Sequence, residues 1–239
     1  MSRPGRKLDG VIRAGRKMVW ITRARPGAEI TANRVRTLGF DAVVAPLLQV
    51  APVGHGPIDL TGIGAIAFTS VNGVEAFAAR SSERGPRVFA VGAATAAAAR
   101  RAGFADVLSA EGGVTALARA IAAHASDIDG GVLHPAAAEL AGDLGDAGIP
   151  VRTLTVYETV AAPRDPAVEA LVPSLYAALV HSAKAARLLA DILRETPAPA
   201  LRLLCLSPAV AAPLCGEIST AALPNEEALL NLLADRGFP

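Results

Sequence analysis

The chain has 239 residues, 52% of them hydrophobic, and a formal net charge of +1 that is unevenly placed. Residues 1–25 hold eight of the 23 basic residues and one of the 22 acidic ones, leaving 15 basic against 21 acidic in a body near −6. That size allows a sizeable core in one large or two small domains, and an acidic body excludes a broad nucleic-acid footprint, which needs basic residues spread over one face.

Residues 1–16 are basic, carry Gly and Pro, and lack the continuous apolar run of a secretory signal. They predict a flexible basic extension. The strand KMVWIT follows at 17–22. Pro26 stands where a helix can begin, Ile30, Val35 and Leu38 mark its apolar face, and Gly39 stops it. Strands are predicted at 41–45, 65–69 and 87–91, with helices from about 72 and about 93. A shorter strand at 105–109 leads to a helix over 114–125. Next come a strand at 131–134, a helix over 136–147 and the alternating VRTLTVYET at 151–159. After the breaker-rich APRDP (162–166), strands at 176–181, 201–206 and 218–222 each precede a helix. Strands separated by helical stretches of this length predict an α/β fold with parallel sheets covered on both faces. An internal repeat favours two domains. FTSVNGVEAFAA (68–79) aligns with VHSAKAARLLA (180–190), and VFAVGAATAAAA (88–99) with LLCLSPAVAAPL (203–214). No apolar run reaches 18 residues, so no membrane span is expected. Cys205 and Cys215, both in apolar surroundings, read as reduced core thiols of a cytoplasmic protein.

In open parallel sheets, ligands collect at the carboxyl ends of the strands. The polar turns there are Thr22-Arg23, Thr69-Ser70 with Asn72, Gly92-Ala93-Ala94-Thr95, His134, His181-Ser182-Ala183, and Ser207 through Val210. Helix starts at these turns expose unpaired amides suited to carboxylates or phosphates. Each has a second reading: Ser70 or Asn72 as a helix cap, Thr95 bonded within its own turn, and Gly92 set for a tight turn. Tyr157 is predicted on the more polar face of its strand, opposite Leu154 and Val156, either as a structural residue or as a ligand contact. Dinucleotide and Walker phosphate loops, a GxSxG elbow, a CxxC pair and metal-ligand histidine spacing are all absent. Such a chain would work by holding a reactive substrate.

Across residues 17–236 the chain resembles the uroporphyrinogen-III synthase family. The resemblance is carried by ITRARP (21–26), AP (45–46), FTSVNGVEAF (68–77), AVGAATAAAA (90–99), GGVTALARAI (112–121), LTVYETVAAP (154–163) and PNEEALLNLL (224–233). It implies a discontinuous first domain, 17–46 with 160–239, and a second domain, 51–155, inserted in it. Linker strands at 47–53 and 155–159 would place Tyr157 beside the cleft between domains. It also implies a reaction without metal or organic cofactor. The linear tetrapyrrole hydroxymethylbilane, a small-molecule polycarboxylate, is closed to uroporphyrinogen III with inversion of ring D and loss of water. A monomer is expected.

By the same resemblance, Tyr157 is the catalytic candidate. Thr22, Arg23, Thr69, Ser70, Asn72, Gly92, Ala93, Ala94, Thr95, His134, Ser182, Ala183, Ser207 and Val210 are the expected substrate-binding set. Two departures stand out. Ser207 and Val210 replace a glycine and a threonine of the family pattern, and His134-Pro135 stand where a basic residue is common. The alternative reading is a tetrapyrrole-binding or degenerate non-catalytic paralogue of the same fold.

Overall fold

The computed structural model describes residues 15–140 and 142–234, so nearly all of the expected N-terminal extension lies outside the described residues. The chain divides into two compact units. The first comprises residues up to Gln49 and from Val160 onward, and the second Val50–Thr159. The first unit starts with β1 (Met18–Ile21), α1 (Gly27–Thr37) and β2 (Asp41–Val44). The chain leaves it through β3 (Leu48–Pro52) and builds β4 (Ile63–Phe68), α2 (Val71–Ala78), β5 (Arg87–Ala90), α3 (Ala93–Arg101), β6 (Val107–Ser109), α4 (Val114–Ala122), β7 (Gly131–Ala137) and β8 (Val151–Ala161). It then completes the first unit with α5 (Pro166–Leu171), β9 (Ala177–Val180), α6 (Ala183–Glu195), β10 (Arg202–Cys205), α7 (Pro208–Ala211), β11 (Glu217–Thr220) and α8 (Glu226–Ala234).

The first sheet has the order β11-β10-β9-β1-β2, and its pairs are parallel. The second has the order β3-β8-β7-β4-β5-β6, with parallel pairs from β8 to β6. The two orders are one arrangement read from different starting strands. β4, β5 and β6 take the places of β9, β10 and β11, while β7 and β8 take those of β1 and β2. The repeat found in the sequence has this basis, since Ser70 and Ser182 cap equivalent helices by accepting from Gly73 N and Ala185 N. Strand order reverses between β1 and β9 in one unit and between β4 and β7 in the other. Those are the switch points where ligands gather in such sheets.

Alternation along the strands sends successive side chains to opposite faces. In the first unit, Trp20, Ala178, Val180 and Leu203 pack with α6 through Ala185, Leu189 and Ile192. Val19, Ile21, Leu179 and Leu204 pack with α1 and α8. In the second, Ile66, Phe68, Val88 and Leu133 meet Val74, Phe77 and Ala99 from α2 and α3. Ala65, Ala67, Phe89 and Val132 meet Leu117 and Ile121 of α4. Each large side chain so buried contributes about 1.5–3 kcal/mol.

Three expectations are corrected. The buried face of α1 is Ala28, Thr31, Ala32 and Val35, whereas Ile30 and Leu38 are exposed. Positions 28, 31, 32 and 35 form a stripe at helical spacing, and their mostly small side chains let the helix lie close to the sheet. The helix expected over 136–147 is replaced by an extended β7 and one 3₁₀ turn at Gly145–Ala147. Here tertiary structure overrides Ala-rich propensity: Ala136 and Ala137 pair with β8, and Ala138 N donates to Tyr157 O. Leu144 and Ala147 cover the α4 side of the sheet instead. Finally, Tyr157 does not lie on a polar face. The register skips a residue there, matching Ala136 to Thr155 and Ala137 to Tyr157. This bulge turns both Val156 and Tyr157 into the core.

Candidate functional site

In the second unit, the candidate residues gather at the carboxyl end of β4 and its neighbours. β4 ends in an apolar run, and Ser70 then takes extended backbone angles to cap α2, with Oγ accepting from Gly73 N at 3.0 Å. The same Oγ lies 2.8 Å from the phenolic oxygen of Tyr157. Beside it, Thr69 Oγ1 lies 3.1 Å from His134 Nε2. His134 is 2% exposed. Burial pushes its pKa below the usual imidazole value, and the charge of Asp143 offsets this only in part. Burial thus favours the neutral imidazole, whose Nε2 meets the Thr69 hydroxyl. Gly73 makes the arrangement possible, because a Cβ there would stand 2.8 Å from Pro135 O of β7.

α3 begins differently. Gly92 carries no side chain to cap it, so the first-turn amides at exposed Ala93 and Ala94 receive no side-chain cap. Gly92 has extended angles, and a Cβ added to it would meet nothing within 4 Å. Neither conformation nor crowding within the protein demands glycine there. Thr95, the third residue of α3, is buried, and Asn72 is half-buried in the first turn of α2.

In the first unit, the switch point between β1 and β9 holds a charged cluster. Thr22 is fully buried and its hydroxyl donates to Leu179 O at 2.7 Å, which ties β1 to β9 and withdraws this expected substrate contact into the core. The next residue, Arg23, directs Nη1 to Glu226 Oε2 at 2.8 Å and to Thr31 Oγ1 at 3.4 Å. Glu226 also accepts from Thr31 and from His181 Nε2, the latter at 3.0 Å. Burial alone would raise the Glu226 pKa. The hydrogen bonds from His181 and Thr31, with the charges of His181 and Arg23, outweigh it and hold the carboxyl at about 2. Ser182 and Ser207 cap α6 and α7, and Ala183 is the first residue of α6. Val210 is turned into the core. Its departure from the family pattern thus falls on an inward-facing side chain.

Thr31 and Glu226 were not among the candidates read from sequence, and His181 was read only as part of a polar turn. Glu226 had a signal: Asn225 Oδ1 accepts from Ala228 N, so PNEE is a capped helix start with acids in its first turn.

A family model described as uroporphyrinogen-III synthase HemD matches residues 29–231. The chain belongs to the uroporphyrinogen-III synthase family. These enzymes serve tetrapyrrole biosynthesis. Among solved structures, a uroporphyrinogen-III synthetase from Helicobacter pylori superposes with a TM-score of 0.59 at 16% identity, covering 92% of this chain and 98% of that one. A mutant uroporphyrinogen III synthase from the extremely thermophilic bacterium Thermus thermophilus aligns at 15% identity and a TM-score of 0.45, over 91% and 97%. No curated sequence matches significantly. The first superposition agrees with the two-domain fold of this family. Among the described residues, no helix is long and apolar enough to cross a membrane.

Proposed function

We propose that this chain closes hydroxymethylbilane to uroporphyrinogen III, inverting ring D and releasing water, and that Tyr157 assists the departure of the hydroxyl. The family match over residues 29–231 carries the reaction. The family chemistry needs little from the protein beyond placement. Loss of the hydroxyl leaves an azafulvene, which ring D attacks at its substituted carbon to give a spiro intermediate that fragments and recloses. Holding the two ends of one molecule together is an orientation task.

The hydrogen bonds around Tyr157 support its role. Ser70 Oγ already accepts from Gly73 N, so its own proton is free to point at the Tyr157 oxygen. With Ser70 donating, the phenol proton is left for the departing hydroxyl. Thr69, fixed by His134, supplies a second oriented hydroxyl. The uncapped amides of α3, at Ala93 and Ala94, suit substrate carboxylates, and Gly92 leaves room for their approach. The Ser182 and Ser207 turns offer further helix starts in the first unit. We further propose that the protein acts as a cytoplasmic monomer without a cofactor. A stable dimer in sedimentation would remove the monomer claim.

The deciding assay uses chelator-treated protein and freshly made hydroxymethylbilane. Type III product is expected. Exclusive type I product, which forms without guidance, would overturn the proposal.

A further inference from the structure

Arg23 is the basic side chain at the switch point of the first unit, and its guanidinium is held on two sides. Nη1 is tied to Glu226 and Thr31. A Cβ built on Gly27 would lie 2.8 Å from Nε, from Cζ and from Nη2 alike. Equal distances to those three atoms put the missing Cβ to one side of the guanidinium plane, above its Nε–Nη2 edge and clear of the in-plane direction in which those N–H groups point. Gly27 is therefore the position that lets this plane rest on the start of α1. Glu226 is itself fixed by His181 Nε2 at 3.0 Å and by Thr31, so it cannot follow Arg23 if the latter swings away.

One edge of the fork remains. Among the described residues no acceptor is bonded to Nε or Nη2, and the Arg23 side chain is 37% exposed. Nε–H and Nη2–H point in parallel, which is the geometry that takes both oxygens of a carboxylate at once. We infer that this edge of Arg23 is the receptor for one carboxylate of the tetrapyrrole, and that Gly27, Glu226 and His181 are positioning residues that aim it. The inference rests on the synthase reading. Glu226 neutralises the arginine without occupying the receiving edge, so an anion is drawn by directed hydrogen bonds more than by net charge. Such a receptor selects for the planar carboxylate of a substrate arm over a chloride or a neutral amide.

Two variants test it without removing the partner of the half-buried Glu226. Arg23→Lys keeps the positive charge near Glu226 and loses the two-pronged edge. Gly27→Ala keeps every charge but pushes the guanidinium out of place, at low cost to the fold because the displaced group is the end of a flexible side chain. Steady-state kinetics with hydroxymethylbilane are read beside fluorescence titration with uroporphyrin III. Both variants should raise KM and weaken uroporphyrin III binding by about tenfold, the scale of a charge-assisted bond. Turnover number should stay within about threefold and the melting temperature should hold. Unchanged KM and porphyrin affinity, with or without a fall in melting temperature, would reduce the cluster to a structural tie and overturn the inference. A lower turnover number at constant KM would overturn it as well. Wild-type protein yielding only type I product would instead sink the synthase reading.

Discussion

Replacing Tyr157 by Phe removes one oxygen and leaves the ring. The ring is 7% exposed and packs in the α2–α3 side of the second unit, so the hydrophobic contribution is retained. What is lost within the protein is the 2.8 Å bond to Ser70, worth about 1 kcal/mol of stability. Ser70 keeps its cap on Gly73 N, so α2 should not fray. The catalytic loss is a separate quantity. A hydrogen bond made to the departing hydroxyl in the transition state is worth about 1 to 2.5 kcal/mol, which converts to roughly 5- to 70-fold in turnover. Larger losses are not expected, because the azafulvene forms without strong acid assistance. The assay is single-turnover formation of type III product, with isomers separated and thermal unfolding recorded on the same preparation. Tyr157→Phe with an unchanged single-turnover rate and isomer yield would refute the catalytic role, leaving the phenol as a packing residue that happens to meet Ser70.

Other perturbations separate the remaining parts of the site. Glu226 has a depressed pKa of about 2 in the folded protein, so the unfolded chain takes up its proton first as pH falls. Its contribution is complete above about 4.5 and lost progressively towards 2. Glu226→Gln should flatten the rise of unfolding free energy between pH 2 and 4.5, by up to about 3 kcal/mol, and equal slopes in both proteins would refute this. His134 should titrate below the usual imidazole range in carbon-detected NMR, with stability declining as pH drops below about 6.5; a normal or raised value would show the ring is not kept neutral. Gly92→Ala should leave the melting temperature within error, since the new methyl meets nothing, yet raise KM if substrate approaches that amide edge. Gly73→Ala, which meets Pro135 O at 2.8 Å, should lower stability by about 1–3 kcal/mol, and a neutral result would mean α2 shifts freely.

Most strands were legible as short apolar runs and β8 by its alternation, and the carboxyl-edge turns were legible because a polar group closely follows the apolar run. The misread positions share a cause in contacts distant along the chain. Thr22 looks like a binding residue until Leu179 O, 157 positions away, claims its hydroxyl. Glu226 reaches Arg23 across 203 positions, and no local pattern announces that pairing. Residues 136–147 are rich in alanine and read as helix, yet the β8 ladder takes the first of them and the α4 side of the core takes Leu144 and Ala147. Alternation misled at Tyr157, because a single skipped residue in the register reverses the face of everything after it.

The discontinuity of the first unit also sets an order of assembly during synthesis. β1 needs β9, and Trp20 meets Ala178 only after the whole of the second unit has been made. The second unit, by contrast, is one contiguous stretch from Val50 to Thr159 and can close as soon as β8 emerges. Until then β1 and β2 have only each other and α1 as partners within their sheet, and α6, which covers the Trp20 face, has not been made. Contacts of such high sequence separation form slowly, which makes the nascent amino-terminal segment the part of this protein most exposed to aggregation and to chaperone capture. Chains truncated after residue 165 should yield a protease-resistant second unit beside a digested 18–44 segment. A resistant 18–44 segment would show that the amino-terminal fragment shelters itself without waiting for β9.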